Sequence, residues 1–178
     1  VEVGDRRAGL RFSRLPIFLT VFVPDEPGRT AVSPVSTERQ AMAHWLFKSE
    51  PFKFSFDDLV AKGAAGTEWD GVRNYLARNN MRAMQLGDQG FFYHSNEGLA
   101  IVGICEVAAL SHPDSTSADP RWDCVDVRAV RPVKRPVTLA EVKANPALSK
   151  MSLVTSMRLS VQPVTDEEWD IVLAMAGE

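Results

Sequence analysis

The residues with chemical reach in this chain gather where hydrophobic runs stop. Lys48-Ser49-Glu50-Pro51 follows one such run, and Trp69-Asp70-Gly71-Val72-Arg73-Asn74 joins a loop to a helical pattern. Tyr93-His94-Ser95-Asn96 ends a third run, and residues 153–160 hold Thr155, Ser156, Arg158 and Ser160. Indole and phenol faces stack on a flat ring, while Ser, Asn, Asp and Arg side chains read its polar edge. If folding brings these ends to one mouth, they suit a single extruded base, for which stacking is worth about 1–3 kcal/mol. Arg73, Arg78 and Arg82 lie near one helix, the last two a turn apart, and make a candidate phosphate track; a solvated helix face explains them equally. Arg128, Arg131, Lys134 and Arg135 read first as a solvated strand edge.

The patterns of independent catalysis are missing. The chain has no GxSxG, no GxxxxGK[ST], no GxGxxG after a strand and no HExxH. His94 and Ser95 are neighbours on an extended run, so they point to opposite faces and form no nucleophile–base pair unaided. Asp57, Asp58 and Asp70 lack a spacing that argues for paired carboxylates. His44, His94 and His112 are far apart, and Cys105 and Cys124 are too few for a four-sulfur zinc site. The expectation is therefore no enzyme, no metal and no cofactor. No apolar run reaches the roughly 18 residues of a membrane span. The 178 residues carry 20 Lys+Arg against 23 Asp+Glu, so bulk positive charge does not drive partner binding. Two cysteines suit a reducing cytoplasm, and a monomer is the expected state.

These side chains need a scaffold. Residues 44–48 read as a strand, and Ser55 with Asp58 as a capping box opening a short helix ended by Gly63. Residues 63–67 read as loop, 74–84 as helix, Gly87-Asp88 as a turn and 90–94 as strand. Residues 101–110 form a nearly continuous apolar strand predicted to be buried on both faces, with Cys105 a small core residue. Residues 122–133 alternate as a long strand. Thr138 with Glu141 and Thr165 with Glu168 are two more capping boxes, the first opening a helix that stops before Pro146, the second one over 166–176. The pattern is α+β: a small, mostly antiparallel β-barrel of about five strands with short helices packed around it.

Residues 1–41 differ from the rest. They hold five acids, six arginines and no lysine, are broken by proline and glycine, and show no sustained period, while residues 42–178 hold 18 acids and 14 bases. The apolar run at 15–23 follows four arginines and mimics a signal peptide, but no small-x-small cleavage site follows closely. The expectations are an upstream start before Met42, with Val1 fitting a GTG codon, or a poorly ordered genuine extension. The domain is expected over residues 42–178.

Several stretches carry a resemblance. Residues 45–51 (WLFKSEP), 69–75 (WDGVRNY), 77–79 (ARN), 91–96 (FFYHSN), 101–104 (IVGI) and 158–161 (RLSV) resemble the EVE domain family, in the family's order over residues 42–178. The resemblance implies a PUA-like fold related to YTH and ASCH domains. It also implies nucleic-acid binding, with modified cytosine in DNA the favoured ligand and modified RNA the other. Lys48-Ser49 resembles the lysine–serine pair after the first YTH strand, Trp69 falls where YTH domains place one cage wall, and Ser95-Asn96 matches a polar strand end. Where the family often has arginine this chain has Thr155, with Arg158 the residue able to cover that contact.

The expected base pocket is thus Ser49, Trp69, Asp70, Asn74, Tyr93, His94, Ser95, Asn96 and Ser160. The expected backbone contacts are Lys48, Arg73, Arg78, Arg82 and Arg158. Each has a plainer reading beside it. Trp69 competes with a core tryptophan, Asp70 and Asn74 with helix caps, and His94 with a hydrogen-bonded structural histidine. Trp45, Trp122 and Trp169 read as packing residues. The rival functions are an accessory part of a nucleic-acid modification enzyme and a small-molecule module; a basic pocket rim favours the reader, an acidic rim the small-molecule module.

Overall fold

Among the residues described by the computed structural model, 42–178, six strands share one sheet. They are β1 (His44–Ser49), β2 (Thr67–Glu68), β3 (Gln89–His94), β4 (Ala100–Pro113), β5 (Asp123–Thr138) and β6 (Val161–Val164). Between them lie α1 (Phe56–Ala61), α2 (Tyr75–Ala83), α3 (Leu139–Ala144), α4 (Ser152–Thr155) and α5 (Asp166–Met175). The order across the sheet is β2-β5-β4-β3-β1-β6. β1 and β3 run parallel, and every other neighbouring pair is antiparallel. This is the expected α+β class with a mostly antiparallel sheet. The sheet is open where a closed barrel was expected, since no ladder among the described residues joins β2 to β6. The expectations for residues 1–41 lie outside the described residues.

The central strands are buried on both faces, so alternate side chains feed two cores. Trp45 and Phe47 of β1 and Phe92 of β3 enter a first core with Phe56, Leu59, Met81 and Val127. Leu46, Phe91 and Tyr93, their neighbours in sequence, enter a second core with Ile104, Val142, Leu148 and Trp169. The apolar run of β4 divides likewise, Cys105 and Val107 to the first and Ile101 and Ile104 to the second. Cys105 is fully buried, as expected. The first core needs one close approach: a Cβ on Gly103 would stand 2.3 Å from the Phe56 ring, so α1 packs directly on the β4 backbone.

The helix starts follow the sequence closely. Ser55–Asp58, Thr138–Glu141 and Thr165–Glu168 each form a reciprocal capping box. Asn74 caps α2 by accepting from the Leu76 and Ala77 amides. The buried Asp88 accepts from the Trp45 indole at 3.0 Å and from the Ala43 and Gln85 amides, which ties the turn before β3 to β1. Buried Gln162 of β6 donates to the Ser156 and Leu159 carbonyls and fixes the loop that leads to Ser160.

Candidate functional site

The first core opens to solvent at a cleft of about 590 Å³. Its floor and walls come from three places: the end of β1 (Lys48, Ser49), the segment from β2 to the start of α2 (Thr67 to Arg73), and Ser160 before β6. Phe54, Lys53 and Lys62 close the side nearest α1. The parallel β1–β3 pairing matters here. It requires a crossover, and the crossover carries Trp69, Asp70 and Arg73 back past the end of β1.

Trp69 is only 7% exposed. Its amide donates to the Val125 carbonyl at 2.7 Å. Phe47, Phe54 and Phe92 meet its ring at interplanar angles of 68°, 79° and 90°. Among the described residues no ring stacks flat on it. The indole is thus both a core residue and a wall of the cleft, combining the two readings its sequence position left open.

The polar groups around it are partly committed. The Ser49 hydroxyl donates to the Phe54 carbonyl at 2.7 Å, so its oxygen faces further partners as an acceptor. The Lys48 ammonium donates to the Met157 carbonyl at 3.2 Å, and the Lys48 amide donates to the Ser160 carbonyl at 2.9 Å. Burial lowers the Lys48 ammonium from 10.5 to about 8. Burial, with the nearby Asp114 and Glu68 carboxylates, raises the Asp70 carboxyl, and Arg73 opposes this. Arg73 pairs with buried Asp114 at 2.6 Å. Burial alone would push Asp114 up; donation from the Thr116 hydroxyl, Arg73, and the Thr116 and Gly71 amides holds it at about 2. Four cations (Lys48, Lys53, Lys62, Arg73) line the cleft beside two acids (Glu68, Asp70); Arg73 is paired with Asp114 and Lys53 with Glu50, so the rim is of mixed charge.

Of the residues singled out from the sequence, Lys48, Ser49, Trp69, Asp70, Arg73 and Ser160 converge on the cleft. The others stand elsewhere. Asn74 spends its side chain on the α2 cap. Tyr93 is buried in the second core, because its neighbour Phe92 takes the first. The His94 ring accepts the Phe56 amide at 3.2 Å; burial lowers its pKa, with Asp57 opposing, which keeps it a neutral acceptor there. The Ser95 amide donates to the Ser49 carbonyl and the Asn96 amide group to Glu50, so both brace the β1 end from behind. Arg78 donates to Asn79 and to the Arg121 carbonyl, and Arg82 pairs with Asp123. Arg158 is exposed on the loop before Ser160, and Thr155 donates to the Met151 carbonyl within α4. Sequence reading missed Lys53, Phe54, Lys62 and Glu68 as cleft residues, and no local pattern signalled them.

Comparison with known proteins places this geometry. Residues 43–175 match the family described as EVE domain. Thymocyte nuclear protein 1 of Homo sapiens is 41% identical over 165 residues, covering 75% of this chain and 73% of that protein. A crystal structure from Agrobacterium tumefaciens is 68% identical with a TM-score of 0.75, covering 76% of this chain and 93% of that one. The crystal structure of human THYN1 protein in complex with 5-methylcytosine-containing DNA is 40% identical with a TM-score of 0.72, covering 76% and 98%. On the extent of the family match and these identities, this chain belongs to the EVE domain family.

Proposed function

We propose that this chain is a non-catalytic reader that takes one modified base of a nucleic acid, modified cytosine in DNA before modified RNA, into the Trp69 cleft. The observation that carries the reading is the cleft itself. It has one indole wall held by three phenylalanine rings, small hydroxyls at its end, and Lys48, Lys53, Lys62 and Arg73 around it. A wall packed in advance loses little freedom on binding, so a small added group on the base meets a defined surface.

The polar groups favour cytosine. With its proton given to Phe54, the Ser49 oxygen offers lone pairs, which suit an exocyclic amino donor such as cytosine N4. Lys48 retains donors beyond the one given to Met157, and these suit the ring nitrogen and carbonyl of the same edge. Thymine would bring its O4 acceptor against the Ser49 lone pairs. The relative solved with 5-methylcytosine DNA supports the same ligand class.

The test is equilibrium binding to oligonucleotides with one central plain, 5-methyl or 5-hydroxymethyl cytosine, as DNA and as RNA. Preference for a modified cytosine in DNA is the expected result, with Ser49→Ala weakening binding to plain and modified cytosine alike. Equal affinity for all members of the panel would overturn the reading.

A further inference from the structure

Beside the cleft lies a second set of flat groups. Tyr75, the first residue of α2, stacks on Trp122 with ring centres 5.0 Å apart at 27°. The Arg73 guanidinium lies 5.7 Å from the Trp122 ring centre, and the Arg78 guanidinium 5.0 Å from that of Tyr75. Two stacked rings thus carry a guanidinium at either end, the four side chains coming from two distant parts of the sequence. Tyr75 remains 51% exposed, while Trp45, Trp69 and Trp169 are nearly buried.

The cluster is built and held. Arg121 grips Asp119 through both carboxylate oxygens and donates to the Tyr75 hydroxyl at 3.2 Å. Arg78 donates to the Arg121 carbonyl at 2.9 Å. Among the described residues, Arg78 has no carboxylate within ion-pair distance, so its charge is left for a partner. Arg73 belongs to both places: it lines the cleft and lies over Trp122. An exposed tyrosine stacked on an indole and flanked by guanidinium groups has the chemistry of a base-stacking platform with an anion contact beside it.

We propose that the Tyr75–Trp122 stack is a second nucleotide subsite, which takes the base flanking the one held in the Trp69 cleft, with Arg78 serving its phosphate. This rests on the reading of the cleft as a base pocket, and Arg73 is the link between the two. It changes the role of Arg78, which sequence alone suggested as one step of a phosphate track along α2.

The probes are 5-methyl-2′-deoxycytidine 5′-monophosphate and a DNA oligonucleotide with one central 5-methylcytosine, each titrated against wild type, Tyr75→Ala and Tyr75→Phe. Tyr75→Ala is expected to lose about 5- to 100-fold on the oligonucleotide and nothing on the mononucleotide. Tyr75→Phe keeps the ring and is expected to bind near the wild-type level. Replacing the flanking nucleotides with abasic sites should weaken wild type by a similar factor and leave Tyr75→Ala with no further loss. Unchanged oligonucleotide binding by Tyr75→Ala, or an equal loss on both probes, would overturn the platform. If plain and methylated oligonucleotides bind alike while Tyr75→Ala weakens both, the platform stands and the modified-base reading fails. If wild type binds no oligonucleotide, both fail.

Discussion

Trp69 and Trp169 lie in the cores on opposite sides of one sheet, and both are nearly buried, at 7% and 5% exposure. Trp169 is flanked by two flat partners: His44 stacks at 4.2 Å and 14°, Phe91 at 4.1 Å and 22°. His44 is itself held by Asp166 at 3.0 Å, at the start of the same helix. Among the described residues Trp69 has only T-shaped ring partners, and it lines a cleft. The same side chain, at nearly the same burial, closes one core and opens the other. What separates the two roles is how the neighbours meet the ring, which burial alone does not report.

The largest effects should come from breaking either tryptophan. Trp69→Ala and Trp169→Ala are each expected to cost about 3–5 kcal/mol of stability by thermal or denaturant unfolding. Sequence reading allowed Trp69 to be an open wall whose loss the fold survives; its three phenylalanine partners argue otherwise. The two variants should part in binding. Measured per folded molecule, Trp169→Ala should bind modified DNA normally, whereas Trp69→Phe, which keeps a packed ring, should fold and bind weakly. Normal binding by Trp69→Phe would put the recognition surface elsewhere.

Gly103→Ala sharpens the comparison from the other side of the wall. The new methyl would press on the Phe56 ring, whose partner Phe92 supports Trp69. Overpacking of this kind costs about 1–3 kcal/mol, and chemical denaturation should register it. A neutral result would mean α1 shifts freely, and with it the packing behind Trp69.

A smaller effect concerns protons. The Lys48 ammonium titrates at about 8 in the fold against 10.5 ordinarily, so across that window the unfolded chain holds more protons. Lys48 should therefore make stability rise with pH between those values, and Lys48→Met should remove the rise. Over the same step, nucleic-acid affinity should fall as Lys48 loses its charge. His94 adds a slope at the acid end: its pKa is lowered, so stability should drop as pH falls below about 6.5, where the unfolded imidazole takes up a proton first. Stability curves of wild type and Lys48→Met against pH check both. The smallest effect is expected at Arg82, whose exposed pairing with Asp123 should be worth about 0–1 kcal/mol. Arg82→Ala should change neither stability nor binding beyond that, which would remove it from any phosphate track.

Much of this was legible before the fold was seen. Capping boxes are local, so all three could be read from side chains three residues apart. Trp45 and Trp169 could be placed in the core from their periodic neighbours. β2 and β6 could not: Thr67–Glu68 is two residues long, and Val161–Val164 contains Pro163, so both are strands only through their pairing. β5 continues past Pro132 and Pro136 because beyond Arg128 it has only β4 beside it among the described residues, and an edge tolerates proline. Within the site, Tyr93 went astray because strand parity sends Phe92 and Tyr93 to different cores. The Lys53–Phe54 side of the cleft depends on the turn after β1, which no local pattern announced.

The central claim is that the Trp69 cleft distinguishes a modified cytosine. The most direct measurement is a competition titration of wild type and Trp69→Phe against two DNA oligonucleotides that differ only by one central 5-methyl group. The expected result is that wild type prefers the methylated strand and that Trp69→Phe, shown to be folded, loses the preference and binds both strands more weakly. Equal affinity of wild type for the two strands, or an undiminished preference in Trp69→Phe, would contradict the claim.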